Sequence, residues 1–313
     1  MVDRMQSSDG PMGRTVKVLT GLDLPAGDLA ELPSSSGRFP DGQRWHVEIP
    51  SVEGPEALAA VIDEASRLGV PVHRISQGSG IMLQTDSEIE QMLELGRTHD
   101  IEVCLFVGPR AAWDVGRQAV TPTGAVSLAS LRGNDQLRYA LEDVVHGCDL
   151  GLRSILVADV GMLWVLGRAK EAGDLPADLV LKTSVSLPCT NAATARVLAD
   201  LGATTLNLGV DLPLSAISAI RAAVDLPLDI YIEGADDFGA PVRHYEVPEI
   251  VRLAAPVYLK FTVRNAPGIY PSGQHLAATV EATARERVRR ASIGLSMLAR
   301  YGEGDGASAD APA

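Results

Sequence analysis

The chain has 313 residues, 46% hydrophobic and 21% charged, enough to bury one sizeable core. Lys and Arg total 27 against 40 Asp and Glu, a net charge of −13 that repels phosphate backbones and argues against nucleic acid as a partner. Cysteines 104, 148 and 189 show no CxxC spacing, and no apolar stretch reaches the ~18 residues of a membrane span, so structural zinc, an iron–sulfur cluster and a membrane partner are not expected.

Residues 1–15 read as unstructured: MVDRMQSSDGPMGR is polar and lacks the apolar centre of a secretory signal, which points to a cytoplasmic protein. VKVLTGL (16–22) reads as an extra strand, a candidate cap for the bottom of the fold. PSSSGRFPDGQ (33–43) is turn chemistry. A unit then recurs: a short run rich in Val, Ile and Leu, followed by an amphipathic helix with a Gly or Pro break. The runs are WHVEIPS (45–51), VPVHRIS (70–76), IEVCLFV (101–107), SILVADV (154–160), LVLKTSV (179–185), TTLNLGV (204–210), LPLDIYIEG (226–234) and VYLKFTV (257–263). Most begin roughly 23 to 30 residues after the one before. The helix over 53–69 shows the pattern best, with Leu58, Val61, Ile62, Ala65 and Leu68 on one side and Gly69 as its stop.

Eight such units predict an α/β fold, a (β/α)₈ TIM barrel, as a single domain over 16–301 with an unstructured tail at 302–313. Strands three and four stand about twice the usual distance apart. The extra chain, 108–135, is a long loop at the carboxyl end of a strand, where a lid or substrate contact is expected. ARERVRR (284–290), interleaved with Glu281 and Glu286, reads as a solvated helix face.

Alternation along the strands sends ionic side chains toward the barrel axis. Glu48, Lys182, Asn207, Glu233 and Lys260 face inward, as do Asp229 and Tyr231, while His73 or Arg74 and Asp159 stand at strand ends. Strand eight closes between strands seven and one, which places Lys260 between Glu233 and Glu48. Barrel interiors are ordinarily filled with branched apolar residues, and an unpaired buried charge costs several kcal/mol. A structural salt-bridge network is one explanation. An active site is favoured, because apolar packing is usually as stable as a buried ion pair. Glu48, His73, Asp159, Lys182, Glu233 and Lys260 are therefore the catalytic candidates.

Arg74, Arg110, Arg132 and Arg264 suit a substrate carboxylate, and Trp113, Asn207 and Asn265 join them as substrate-binding candidates. The Gly-rich loop after strand two offers backbone N–H groups to a carboxylate or phosphate. Asp236 and Asp237 add oxygen ligands, so a divalent metal stays open as a cofactor, although no HxH or HExxH spacing supports it. Ser184, Ser186 and Cys189 have no GxSxG elbow or paired His and read as ordinary loop residues.

The march of these strands, above all LDIYIEGADDFG followed by VYLKF, resembles the collagenase-like peptidases of unassigned catalytic type across about residues 46–265. The resemblance implies an intracellular barrel enzyme and makes Glu233 the matching position. Some relatives carry an iron–sulfur cluster on cysteines around and after strand seven. Here Ala235, Asp236 and Asp237 stand there and no Cys follows Cys189, so neither the cluster nor base-modifying activity is carried over.

The favoured expectation is a cytoplasmic, homo-oligomeric enzyme: a lyase, isomerase or hydrolase using acid–base chemistry on a small carboxylate- or hydroxyl-bearing substrate. Glu48 and Glu233 would exchange protons and Lys182 and Lys260 would stabilise an oxyanion. The alternatives are a Schiff-base lyase using Lys182 or Lys260, a peptidase, and a non-catalytic metabolite-binding or scaffold barrel.

Overall fold

A computed structural model describes residues 7, 12–29, 31–110, 121–187, 189–236, 239 and 241–302. Trp113, Asp237, most of the 1–15 stretch, the tail after 302 and the middle of the 108–135 loop lie outside the described residues.

Eight parallel strands follow one another: β1 (Trp45–Pro50), β2 (Arg74–Ser76), β3 (Glu102–Phe106), β4 (Ser154–Val157), β5 (Val180–Thr183), β6 (Leu206–Asn207), β7 (Leu228–Glu233) and β8 (Val257–Phe261). Their order in space is β5-β4-β3-β2-β1-β8-β7-β6. The seam between β5 and β6 is thin. Thr183 N donates to Thr205 O at 3.1 Å and Thr204 N to Leu181 O at 2.9 Å, through one bridge at Lys182 and Thr205. These bonds curl the sheet into a nearly closed (β/α)₈ TIM barrel.

The helices are α1 (Gly13–Thr20), α2 (Pro55–Leu68), α3 (Asp86–Thr98), α4 (Gly133–Asp149), α5 (Val160–Ala172), α6 (Ala192–Asp200), α7 (Leu214–Ala223), α8 (Val247–Ala254) and α9 (Ala277–Tyr301). Their ends follow local chemistry. Pro55 opens α2 and Gly69 closes it in the left-handed region at φ 64°. Thr85 and Glu88 form a capping box on α3, and Asn191 caps α6.

Two expectations are corrected here. The 16–22 segment is helical, not a strand: Gly13 and Val16 are buried three residues apart while Val18 and Leu22 are exposed. An extra strand needs an open sheet edge, which barrel closure removes. The floor is capped instead by Phe39, whose ring stacks on His46 at 3.8 Å and meets Tyr258 edge-on at 4.9 Å. The 284–290 run is not wholly solvated either, because Arg287 is buried and its Nη1 donates to Ser51 O at 3.0 Å.

Val47, Ile49, Ile75, Leu105, Ile155, Leu181, Ile230 and Leu259 face outward and join the helices in one apolar cluster. The axis is divided. Cys104, Phe106 and Leu156 on β3 and β4 make an apolar half, with Ala129 and Ala158. Strands β1, β2, β5, β7 and β8 send Glu48, Arg74, Lys182, Asp229 and Lys260 inward.

Helix α5 meets the end of α6 backbone to backbone. A Cβ on Gly167 would collide with the Leu201 carbonyl oxygen, and Gly202, at φ 106°, lies against Gly167 Cα. Gly167→Ala should therefore cost about 1–3 kcal/mol of stability by forcing the helices apart. Urea unfolding reads this directly, and an unchanged midpoint would show that the contact yields freely.

Candidate active site at the carboxyl ends of the strands

A cavity of about 300 Å³ opens at the carboxyl ends of the strands, where barrels of this kind place their chemistry. Its polar floor is formed by Lys260, Asn207, Tyr231, Ser76, Ser184 and Thr262. Phe106, Leu128, Ala129, Leu156 and Val185 give it apolar walls, and Tyr270 and Arg110 stand at its side. Leu128 and Ala129 belong to the long loop after β3, so the described part of that loop lines the cavity.

Lys260 is 1% exposed. Its Nζ lies 3.3 Å from Glu48 Oε1 and 4.3 Å from the centroid of the Tyr231 ring. With the Asn207 amide turned to satisfy its neighbours, Oδ1 accepts from Lys260 Nζ at 2.9 Å and from Val185 N at 3.1 Å. A carboxylate, a ring face and an amide oxygen all complement an ammonium charge.

Glu48 is the hub beneath this floor. Its Oε1 accepts from Lys182 Nζ and, at 2.7 Å, from Ser76 Oγ; its Oε2 faces Arg74 Nη1 at 3.5 Å. Burial alone would raise this carboxyl, but Lys182, Lys260 and Arg74 outweigh it and hold the group well below its ordinary 4.5. Arg74 also reaches Glu102 at 2.9 Å and Asp229 at 3.2 Å, and its guanidinium lies 3.5 Å above Tyr258. Strand register explains the set. Glu48 pairs with both Arg74 and Lys260, and Tyr231 with Lys260, so inward side chains of β2, β1, β8 and β7 form one rank.

The structure thus gathers Glu48, Lys182, Asn207 and Lys260 as expected and departs from expectation elsewhere. Glu233 does not face Lys260. A register shift between Tyr231 and Glu233 turns it away, so that Oε2 meets His244 Nε2 at 3.1 Å and Oε1 accepts from Arg264 N at 3.1 Å. Asp159 caps α5 by accepting from Met162 N at 2.8 Å, and also accepts from Leu131 N at 3.0 Å. Arg74 lies inside the ion network rather than at the mouth. Arg132 is exposed at the start of α4, outside the cavity lining. Arg264 pairs with Asp236 at 2.7 Å, and Asn265 N donates to the same carboxylate, so both clamp the loop after β8 to the loop after β7. Arg110 does line the cavity. It stacks 3.6 Å above Phe106 and donates to the carbonyls of Gly78 and Ser79, and burial lowers its guanidinium to about 10.

The N–H groups of the Gly-rich loop face an internal anion. Gly78 N and Ser79 N donate to Glu53 at 2.7 and 3.0 Å, which pins the cavity wall to the start of α2. Among the described residues no group of three or more His, Cys, Asp or Glu gathers in a way that could hold a metal ion. No described helix is long and apolar enough to cross a membrane.

His73 precedes β2, at the amino end of the barrel and far from the mouth. Its Nδ1 accepts from Val47 N at 3.1 Å and its ring stacks on His46 at 4.0 Å. Burial, aided by His46, lowers it from 6.5 to about 4. Between those values the unfolded chain binds a proton that the fold refuses, so stability rises with pH from about 4 to 6.5, by roughly 2–3 kcal/mol. Urea midpoints across that window should climb, and His73→Gln should flatten the slope. An equally steep slope in the variant would assign the effect to other groups.

Asp229, Glu102, Tyr231 and Ser76 belong to the network or the cavity and were not among the candidates. Inward alternation on β7 already marked Asp229 and Tyr231. Nothing local marked Glu102, whose partner is supplied by register with Arg74.

Residues 123–238 match the profile of peptidase family U32. The chain resembles that family, and the match falls inside the segment where the resemblance is read from sequence. A solved U32 peptidase aligns at 16% identity with a TM-score of 0.43, over 75% of this chain and 98% of that one. Thiamine phosphate pyrophosphorylase from Pyrococcus furiosus aligns at 12% with a TM-score of 0.44, over 82% and 96%. Truncated 3-deoxy-D-arabino-heptulosonate 7-phosphate synthase from Thermotoga maritima aligns at 16% with a TM-score of 0.45, over 86% and 93%. At such identities the likeness extends to the fold alone. No curated protein matches the chain.

Proposed function

We propose that the protein is a small-molecule enzyme that seats a carbonyl or carboxylate oxygen of its substrate on Lys260. One observation carries the reading: a buried ammonium stands in the polar floor of a cavity with apolar walls at the strand ends. Asn207 and Glu48 fix its position. An ammonium so placed stabilises negative charge developing on a carbonyl oxygen, as in enolisation with the neighbouring C–H proton passing to solvent water, or in retro-aldol cleavage with the hydroxyl proton passing there. Glu48 acts here as the counter-charge that orients Lys260. It does not line the cavity, and its depressed titration makes it a poor proton acceptor. The cation at the cavity favours oxyanion stabilisation over proton exchange between paired glutamates, and lyase or isomerase over hydrolase chemistry.

Deuterium exchange tests this. Pyruvate, its branched homologues and phenylpyruvate are incubated with the protein in heavy water, and loss of the proton next to the carbonyl is followed by NMR. Exchange faster than in buffer supports the reading. No binding and no exchange with any member of the panel would overturn it. The family match favours a second reading, peptide hydrolysis. Cleavage of casein or a short-peptide library that survives Lys260→Met would select it.

A further inference from the structure

Asp229 lies on the barrel axis, fully buried. Its Oδ1 accepts from Arg74 Nη1 at 3.2 Å and Thr205 Oγ1 at 3.1 Å. Its Oδ2 is buried without a hydrogen-bond partner, and Lys182 Nζ stands off at 3.8 Å. A buried carboxylate oxygen left in this way is costly, and a neutral carboxyl costs less. The groups facing Asp229 are Arg74 from β2, Lys182 from β5, Glu48 from β1, Lys260 and the Tyr258 hydroxyl from β8, and Tyr231 from its own strand.

The network balances when every member is ionised: buried Arg74, Lys182 and Lys260 oppose buried Glu48 and Asp229 and half-buried Glu102, which pairs directly with Arg74. An anion arriving on Lys260 leaves this cluster with one excess negative charge in a medium that screens it poorly. Glu48 is held ionised by three cations. Asp229 has an oxygen that accepts no hydrogen bond, and burial raises its carboxyl above the ordinary range.

We infer that an anionic ligand binding on Lys260 is accompanied by uptake of a proton at Asp229, which restores the neutrality of the buried cluster. This rests on the reading that Lys260 seats an oxyanion, and it adds a regulation: the site prefers monoanions and binds them more weakly as pH rises. For one proton per ligand, affinity falls about tenfold per pH unit where Asp229 is ionised in the free protein.

Benzoate is the probe, a monocarboxylate with a compact apolar body. Calorimetry at pH 7 to 9 in two buffers of different ionisation enthalpy gives the protons taken up. Uptake approaching one per benzoate in the wild type, and none with pH-independent affinity in Asp229→Asn, is the expected result. Binding without proton uptake, or unchanged uptake in Asp229→Asn, would overturn the linkage while leaving Lys260 as the anion seat. Absence of benzoate binding would overturn both. Should Asp229→Asn fail to fold, infrared difference spectra of the wild type decide: a carboxylic-acid carbonyl band must grow as benzoate is added, and its absence counts against the inference.

Discussion

Glu48→Gln should lower the unfolding free energy by about 3–5 kcal/mol, the range for removing one partner from a buried ion pair. The amide keeps the shape and can still accept from Ser76, so the loss isolates charge. Lys182, Lys260 and Arg74 would then share the interior with Asp229 and Glu102 alone. The pH dependence has a definite sign. The folded carboxyl titrates far below 4.5, so its contribution is fully present above that value and is lost as pH falls beneath it. Wild-type stability should therefore decline on acidification below about pH 4.5 more steeply than that of Glu48→Gln. Urea titrations at pH 7 and pH 3.5 measure both quantities. Equal stabilities at pH 7 would show that the network contributes nothing, and the account of a polar axis held by mutual charge would fail.

Lys260→Met should separate function from folding. The deletion removes the ammonium from the cavity floor and leaves Glu48 with Lys182, Arg74 and Ser76. Loss of one donor to a developing oxyanion typically costs 10²–10³ in rate, and carbonyl-adjacent deuterium exchange should drop by about that factor. Its unfolding midpoint should move far less than that of Glu48→Gln. Lys182→Met should behave in the opposite way. That side chain lies outside the cavity lining and reaches Glu48 and, at 3.8 Å, Asp229. Exchange surviving Lys260→Met while vanishing in Lys182→Met would move the reacting centre to the other lysine.

The contrast between these two lysines shows where sequence reasoning reaches its limit. Alternation along β5 and β8 sends both inward, and both are buried. Which one touches the cavity depends on the stagger of the strands, a property of the closed barrel. Glu233 illustrates the same limit. Counting by twos from Asp229 puts it on the axis, and one register shift after Tyr231 turns it to His244 and Arg264. A shift of this kind depends on how two strands pair, so β7 carries no mark of it in isolation. His73 was misplaced because β2 is only three residues long and starts one residue later.

The sequence by itself determined the eight-fold strand–helix order, the stop of the helix over 53–69 at Gly69, and the presence of ionic side chains on the axis. Each of these follows from local periodicity, and a residue's chemistry is legible over a few neighbours. The tertiary structure alone decided that Phe39 closes the floor, that Glu53 fills the Gly78–Ser79 loop, that Asp159 accepts from Leu131 N and that Lys260 faces the cavity. Those outcomes join residues from different strands and loops, and such contacts exist only once the barrel's curvature and register bring distant segments together.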